Sequence, residues 1–169
     1  MSMPVVKMPI DAEERALLRL DKQLCFQIYS ASRAMTQAYR PLLSSLGLTY
    51  PQYLVMLVLW EKQGEAKLTP ADLTGGFVSS SVSELGQHLR LDSGTLSPLL
   101  KRLEHQGLLN RQRSAKDERQ VQVVLTEQGL ALSRQAAQVP KTLLCDMEIP
   151  REELSSLKLQ LEQLLCRLT

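Results

Sequence analysis

The sequence predicts a mainly α-helical chain with one small β-hairpin, arranged as a winged helix-turn-helix. Three observations point there. Leucines recur at helical spacing through most of the 169 residues, while aromatic residues make up only 4%. Residues 83–106 form two amphipathic stretches separated by a short polar turn. Directly after them, two extended runs flank a basic tip, the pattern of a hairpin. At this length the chain is expected to form one domain, with a core of its own or one completed by a partner chain. A net charge of +2 is too small to argue for nucleic acid, so the case rests on local clustering.

In chain order, residues 1–16 hold two prolines and no clear periodicity, and are expected to be a loose arm. They lack the apolar core and cleavage site of a secretory signal, and no apolar run is long enough to span a membrane, so a cytoplasmic location is expected. The three cysteines would then be reduced at rest. Asp21 offers an N-cap for a long helix reaching about Leu46, with Gly47 as its stop. One stripe of that helix is Leu24, Ile28, Ala31, Met35, Ala38 and Leu42; beside it runs a polar stripe, Cys25, Tyr29, Ser32, Thr36 and Tyr39. Cys25 lies in the first turn, where free N–H groups and the helix dipole favour a thiolate; Lys22 helps and Asp21 opposes. Packing as a small buried hydrophobe is the plainer alternative for this thiol.

Pro51 starts a helix over residues 48–60 that is apolar nearly all round and should be central, with Tyr50 and Tyr53 at its beginning. Residues 62–81, rich in Gly, Ser and Thr, are expected to be a loop insertion, with a specificity loop as the functional alternative. Leu85 and Leu89 mark the first short helix of the helix-turn-helix, Arg90 to Asp92 the turn, and Asp92 or Ser93 the cap of the second. That second helix buries Leu96, Leu99, Leu100 and Leu103, which leaves Ser93, Gly94, Thr95, Ser97, Lys101 and Arg102 on the free face. Small hydrogen-bonding groups at the leading end with cations behind suit a recognition helix in a major groove. Pro98 is expected within the first turn or so, and Gly107 ends the helix. In the hairpin, Arg111, Arg113, Lys116 and Arg119 outnumber Asp117 and Glu118; beside a helix-turn-helix this looks like a wing laid on the duplex, although alone it would be a solvated basic loop. Thr126 caps a helix running to about Cys145, with Gly129 and Pro140 as weak points, and Pro150 starts a last helix with a leucine stripe at 154, 157, 161, 164 and 168.

The run L-x-L-D-S-G-T-L-S-P-L-L-K-R-L-E-x-x-G-L from Leu89, together with D-E-R from Asp117, resembles the MarR family of winged-helix transcription regulators over roughly residues 17–168. The resemblance implies a dimer in which residues 17–47 and 126–169 form the dimerisation helices and residues 48–125 the DNA-binding lobe. It implies that Arg119 enters a minor groove and that Asp117 orients it. L-D-K-Q-L-C-F around Cys25, Y-R at Tyr39 and L-T-Y-P-Q-Y-L-V-M-L-V-L-W are similar to the organic hydroperoxide sensors of that family. In those proteins the cysteine matching Cys25 is oxidised, and tyrosines matching Tyr39 and Tyr50 hydrogen-bond its sulfur; Tyr29 lies on the same stripe. Cys25 and Tyr39 are fourteen residues apart on one helix, about 21 Å, so a supporting Tyr39 must come from a second subunit. In the two-cysteine branch, a cysteine placed like Cys145 condenses with the oxidised cysteine of the other subunit, although by itself Cys145 would pass for a structural thiol. Cys166 matches no role.

The expected function is therefore a regulator, by family a repressor, that binds a pseudo-palindromic operator in double-stranded DNA as a homodimer and responds to an organic hydroperoxide. Alternatives are a regulator released by a small phenolic or aromatic ligand, or a thiol peroxidase, for which the basic wing would be superfluous. No cofactor is expected. His88 and His105 have no Cys or carboxylate cluster around them, and no phosphate loop or nucleophile elbow occurs, so neither a metal site nor an enzyme is expected.

Overall fold

A computed structural model describes residues 10–65, 73–74, 77–114, 117 and 119–168. The chain divides into two compact units, residues 1–38 and 39–169.

In the first unit, α1 (Ala12–Leu17) carries a capping box: Glu14 N–H donates to Asp11 Oδ1 at 2.8 Å, and Asp11 N–H to Glu14 Oε2 at 3.2 Å. The expected loose arm therefore ends in a helical turn; Asp11 and Glu14, three residues apart, supply the order that periodicity did not announce. Residues 1–9 of that arm lie outside the described residues. Asp21 does not cap the long helix. It belongs to a single 3-10 turn, Leu20–Lys22, with its carboxylate in a two-pronged ion pair with Arg19 at 2.8 and 2.9 Å, and α2 (Leu24–Ser44) begins three residues later. None of residues 10–38 is buried.

The second unit holds the end of α2 and everything after it. Gly47, with φ +66°, makes the left-handed step that turns the chain into α3 (Tyr50–Glu65). Val55, Met56 and Leu59 of α3 are buried, as are Leu85 of α4 (Val82–Leu89), and Leu96, Leu100 and Leu103 of α5 (Ser93–His105). At about 1.5–3 kcal/mol for each buried side chain of this size, that shared core is what holds the helix-turn-helix on α3. Ser81 and Glu84 form a capping box on α4, and Arg90, left-handed at φ 53°, makes the turn into α5.

The expected loop insertion over residues 62–81 is corrected at both ends. α3 continues to Glu65, and the chain re-enters as β1 (Leu73–Thr74) and β2 (Phe77–Ser81); residues 66–72 and 75–76 lie outside the described residues. The sheet runs in the order β1-β2-β4-β3, antiparallel throughout, where β3 (Leu109–Arg113) and β4 (Val121–Leu125) are the expected hairpin. Ser80 of β2 pairs with Val123 of β4, whose other neighbour is Arg111 of β3. The segment thus becomes an inner strand of the wing sheet, because β4 has a ladder edge to offer it.

The long helix expected after Thr126 is two helices, α6 (Glu127–Ala136) and α7 (Val139–Met147), with Pro140 in the first turn of α7, where its missing N–H is harmless. Cys145 is in the last turn of α7, two residues before the helix ends; the junction follows at Glu148, left-handed at φ 49°, and leads through Pro150 to α8 (Arg151–Leu168). Leu154 and Leu164 of α8 are half-buried, whereas Leu157, Leu161 and Leu168 are exposed. No described helix is long and apolar enough to cross a membrane.

Candidate DNA interface and thiol positions

α5 presents the predicted face. Ser93, Gly94, Thr95, Ser97, Lys101 and Arg102 are all exposed. Asp92 caps the helix, accepting from Thr95 N–H at 2.9 Å on Oδ1 and from Thr95 Oγ1 at 2.7 Å on Oδ2; the hydroxyl first, then the amide, holds its carboxyl below the usual range. Ser97 Oγ donates to the Ser93 carbonyl at 2.7 Å. With both hydroxyl protons engaged along the helix, the exposed Thr95 and Ser97 oxygens keep lone pairs that can accept, which suits amino donors on base edges. Pro98 is the sixth residue of α5 and not in its first turn as expected. The helix tolerates it because the unmatched Gly94 carbonyl lies on an exposed turn.

Among the wing residues, Arg113 and Arg119 are exposed, and Lys116 lies outside the described residues. Asp117 Oδ1 accepts from the Arg119 backbone N–H at 3.0 Å, and Gln120 N–H donates to the Asp117 carbonyl at 2.9 Å, which fixes the backbone that carries Arg119. Arg111 behaves differently from its neighbours. Its guanidinium grips Glu104 of α5 through Nε at 2.9 Å and Nη2 at 2.6 Å, and its backbone N–H donates to the other carboxylate oxygen at 3.0 Å. Arg111 therefore ties the wing to the recognition helix, and it holds the Glu104 carboxyl below the usual range. Alternation marked Arg111 as basic and hairpin-borne, but nothing in the spacing singled out Glu104 as its partner.

The predicted thiol residues fall in both units. Cys25 is the second residue of α2 and exposed, and no acidic residue occupies that first turn. The charge expected to oppose it, Asp21, is matched by Arg19. Tyr29, one turn further on, takes a hydrogen bond from Arg33 Nη1 at 3.3 Å, with the guanidinium over its ring at 5.6 Å. In the second unit, Tyr39 and Tyr50 meet at 4.9 Å between ring centroids. Tyr53, which sequence reasoning placed near the helix start without a role, joins them at 5.8 Å from Tyr39 and is buried. Burial, then the neighbouring phenols, pushes the Tyr39 and Tyr53 hydroxyls above their usual range. Trp60 packs edge-on to Tyr53 at 6.3 Å and donates through Nε1 to the Gly129 carbonyl at 2.9 Å. Cys145 and Cys166 are exposed free thiols, like Cys25.

A model of SarA/Rot transcriptional regulators matches residues 37–135. The organic hydroperoxide resistance transcriptional regulator of Bacillus subtilis is 44% identical over 148 residues, covering 88% of this chain and 90% of that protein. The chain belongs to the MarR-type winged-helix transcription regulators, the family of that organic hydroperoxide resistance regulator. This regulator also shares its fold with AbfR of Staphylococcus epidermidis. Reduced AbfR bound to DNA superposes with a TM-score of 0.70 at 33% identity, over 93% of this chain and 99% of the other. Disulfide-formed AbfR gives 0.58 at 31% identity, over 90% and 97%. Family and fold are those of a transcription regulator, not an enzyme.

Proposed function

We propose that this regulator binds a pseudo-palindromic operator as a cytoplasmic homodimer and represses transcription until an organic hydroperoxide oxidises Cys25. The observation that carries the sensing role is an exposed thiol in the first turn of a 21-residue helix that has no acidic side chain in that turn. The B. subtilis relative is named for organic hydroperoxide resistance, and AbfR has both a reduced, DNA-bound form and a disulfide form.

In the first step the Cys25 thiolate attacks the distal peroxide oxygen, the O–O bond breaks, and the alkoxide leaves as an alcohol after taking a proton, giving a sulfenic acid. The Cys145 thiol of a second subunit then attacks that sulfur. A disulfide forms, water leaves, and the peroxide has supplied both oxidising equivalents. Tyr39 and Tyr50 are proposed to hydrogen-bond the reacting sulfur across the subunit boundary, with Tyr29 lending its hydroxyl from the next turn of the Cys25 helix. The lobe contacts DNA through Ser93, Gly94, Thr95 and Ser97 at base edges, and through Lys101, Arg102, Arg113, Lys116 and Arg119 along the backbone and minor groove. A new intersubunit bond would rotate the two lobes and spoil their match to two half-sites.

The test is binding to a duplex spanning the region upstream of its own gene, with and without cumene hydroperoxide. Wild type is expected to release and Cys25→Ser to stay bound, and Cys145→Ser is expected to lose the crosslinked dimer on non-reducing electrophoresis. Equal release of wild type and Cys25→Ser would transfer the switch to a small ligand.

A further inference from the structure

Cys25, Tyr29 and Arg33 of α2 follow one another at i, i+4 and i+8, and all three are exposed. Each step is about 6 Å along the axis at 1.5 Å per residue, and helical side chains lean towards the N-terminus. Arg33 can therefore reach back onto Tyr29, and Tyr29 towards Cys25. The first of these contacts is made: Arg33 Nη1 donates to Tyr29 Oη at 3.3 Å, and the guanidinium carbon lies 5.6 Å from the centre of the phenol ring.

The direction of that hydrogen bond matters. A guanidinium only donates, so the Tyr29 oxygen is the acceptor and its own proton is left free to be given away. A hydroxyl that accepts from a cation becomes a better donor in turn. Nothing on the helix competes for the guanidinium, because α2 contains no Asp or Glu, and Arg33 has no carboxylate partner among the described residues. Where arginine would ordinarily pair with a carboxylate, this one is left to a phenol one turn from the thiol.

Oxidation of a thiolate by an alkyl hydroperoxide needs a proton at one point. As the sulfur attacks the distal oxygen, the O–O bond breaks and its electron pair leaves on an alkoxide, a strong base that departs readily only if it is protonated as it forms. The geometry points to Tyr29 as the source of that proton and to Arg33 as the residue that positions it. Tyr29 gives its hydroxyl proton to the departing oxygen, the alcohol leaves, and the sulfur keeps the distal OH as a sulfenic acid. The negative charge left on the phenol oxygen faces the Arg33 guanidinium until water returns a proton. The inference rests on the sensing role proposed for Cys25 above. It gives a role to Arg33, which lies one residue off the polar stripe of α2 and which that stripe does not mark.

The experiment follows the loss of alkylatable Cys25 in the full chain, quenched with excess iodoacetamide and read on the Cys25 peptide by mass spectrometry, with two oxidants. Cumene hydroperoxide expels an alkoxide, whereas peracetic acid expels a carboxylate, a weak base that needs no proton. Wild type is compared with Tyr29→Phe, Arg33→Ala, Arg33→Lys and Tyr29→Phe/Arg33→Ala after circular dichroism has shown each folded. With cumene hydroperoxide, Arg33→Ala is expected to react about tenfold more slowly and Tyr29→Phe about a hundredfold, with the double variant no slower than Tyr29→Phe and Arg33→Lys close to wild type. With peracetic acid all are expected to react at similar rates, and alkylation without oxidant is expected to be equal. Equal slowing with both oxidants, or slower alkylation, would mean that Arg33 acts on the thiolate itself and overturns the inference; so would additive losses in the double variant. An unchanged rate for Arg33→Ala with cumene hydroperoxide overturns it while leaving Cys25 the sensor. Failure of cumene hydroperoxide to oxidise wild-type Cys25 overturns the sensing role together with it.

Discussion

Where α6 meets the base of the wing there is no room for a single carbon atom. A Cβ on Gly129 would lie 1.9 Å from the Leu108 carbonyl oxygen, backbone that cannot swing aside. In the sequence this glycine looked like a weak point in a helix, since glycine lowers helix propensity; the close approach that requires it involves a residue twenty-one positions earlier. Gly129→Ala is expected to cost about 3 kcal/mol or more, visible as a lower urea midpoint with an unchanged slope. A second residue-scale expectation concerns Glu104. Arg111 lowers its folded pKa from the ordinary 4.5, so the pair stabilises the fold above that pH and the contribution fades as pH falls through the depressed value. The melting temperature of wild type should exceed that of Glu104→Gln at neutral pH, by the equivalent of about 1 kcal/mol for a half-exposed pair, and the gap should close on acidification below 4.5. The place of Cys25 was legible for a simple reason: it sits near a helix start, and local sequence fixes helix starts to within a few residues.

Among the elements, those governed by local rules were readable and those governed by distant partners were not. α4, its turn and α5 follow from leucine spacing and from Asp92, whose cap on Thr95 the structure contains as expected. β3 and β4 follow from alternation across a polar tip. β2 does not, because Phe77–Ser81 is serine-rich and short, and its status as a strand depends on Ser80 meeting Val123, forty-three residues away. The cap assigned to Asp21 failed because Arg19 competes for the same carboxylate. The β2–β4 seam carries an imperfection, since Ser80 Oγ is buried with no hydrogen-bond partner among the described residues. Ser80→Ala should therefore raise stability by about 1 kcal/mol, measured by chemical denaturation, the reverse of the usual outcome at a buried site.

At the level of the whole molecule, each unit keeps apolar surface in solvent. Leu17, Leu18, Leu20 and Leu24 of the N-terminal unit are all more than half exposed, and α8 exposes Leu157 at 49% and Leu161 at 42%. The α8 stripe was legible as periodicity, but periodicity cannot say whether a leucine faces its own chain or another. For a homodimer, Leu157→Glu/Leu161→Glu should shift light-scattering mass from two chains to one and abolish binding to a two-site duplex, while circular dichroism stays helical. The chain also has a single tryptophan, and the structure puts it where α3 holds α6, its indole N–H on the Gly129 carbonyl and its ring against Tyr53, which in turn touches Tyr39. Light absorbed by those phenols will pass to the indole over such short separations, and the emission colour will follow whether that carbonyl bond is kept. The protein therefore has a built-in, label-free optical gauge of the junction between its central helix and the base of its wing, readable in real time as oxidant is added.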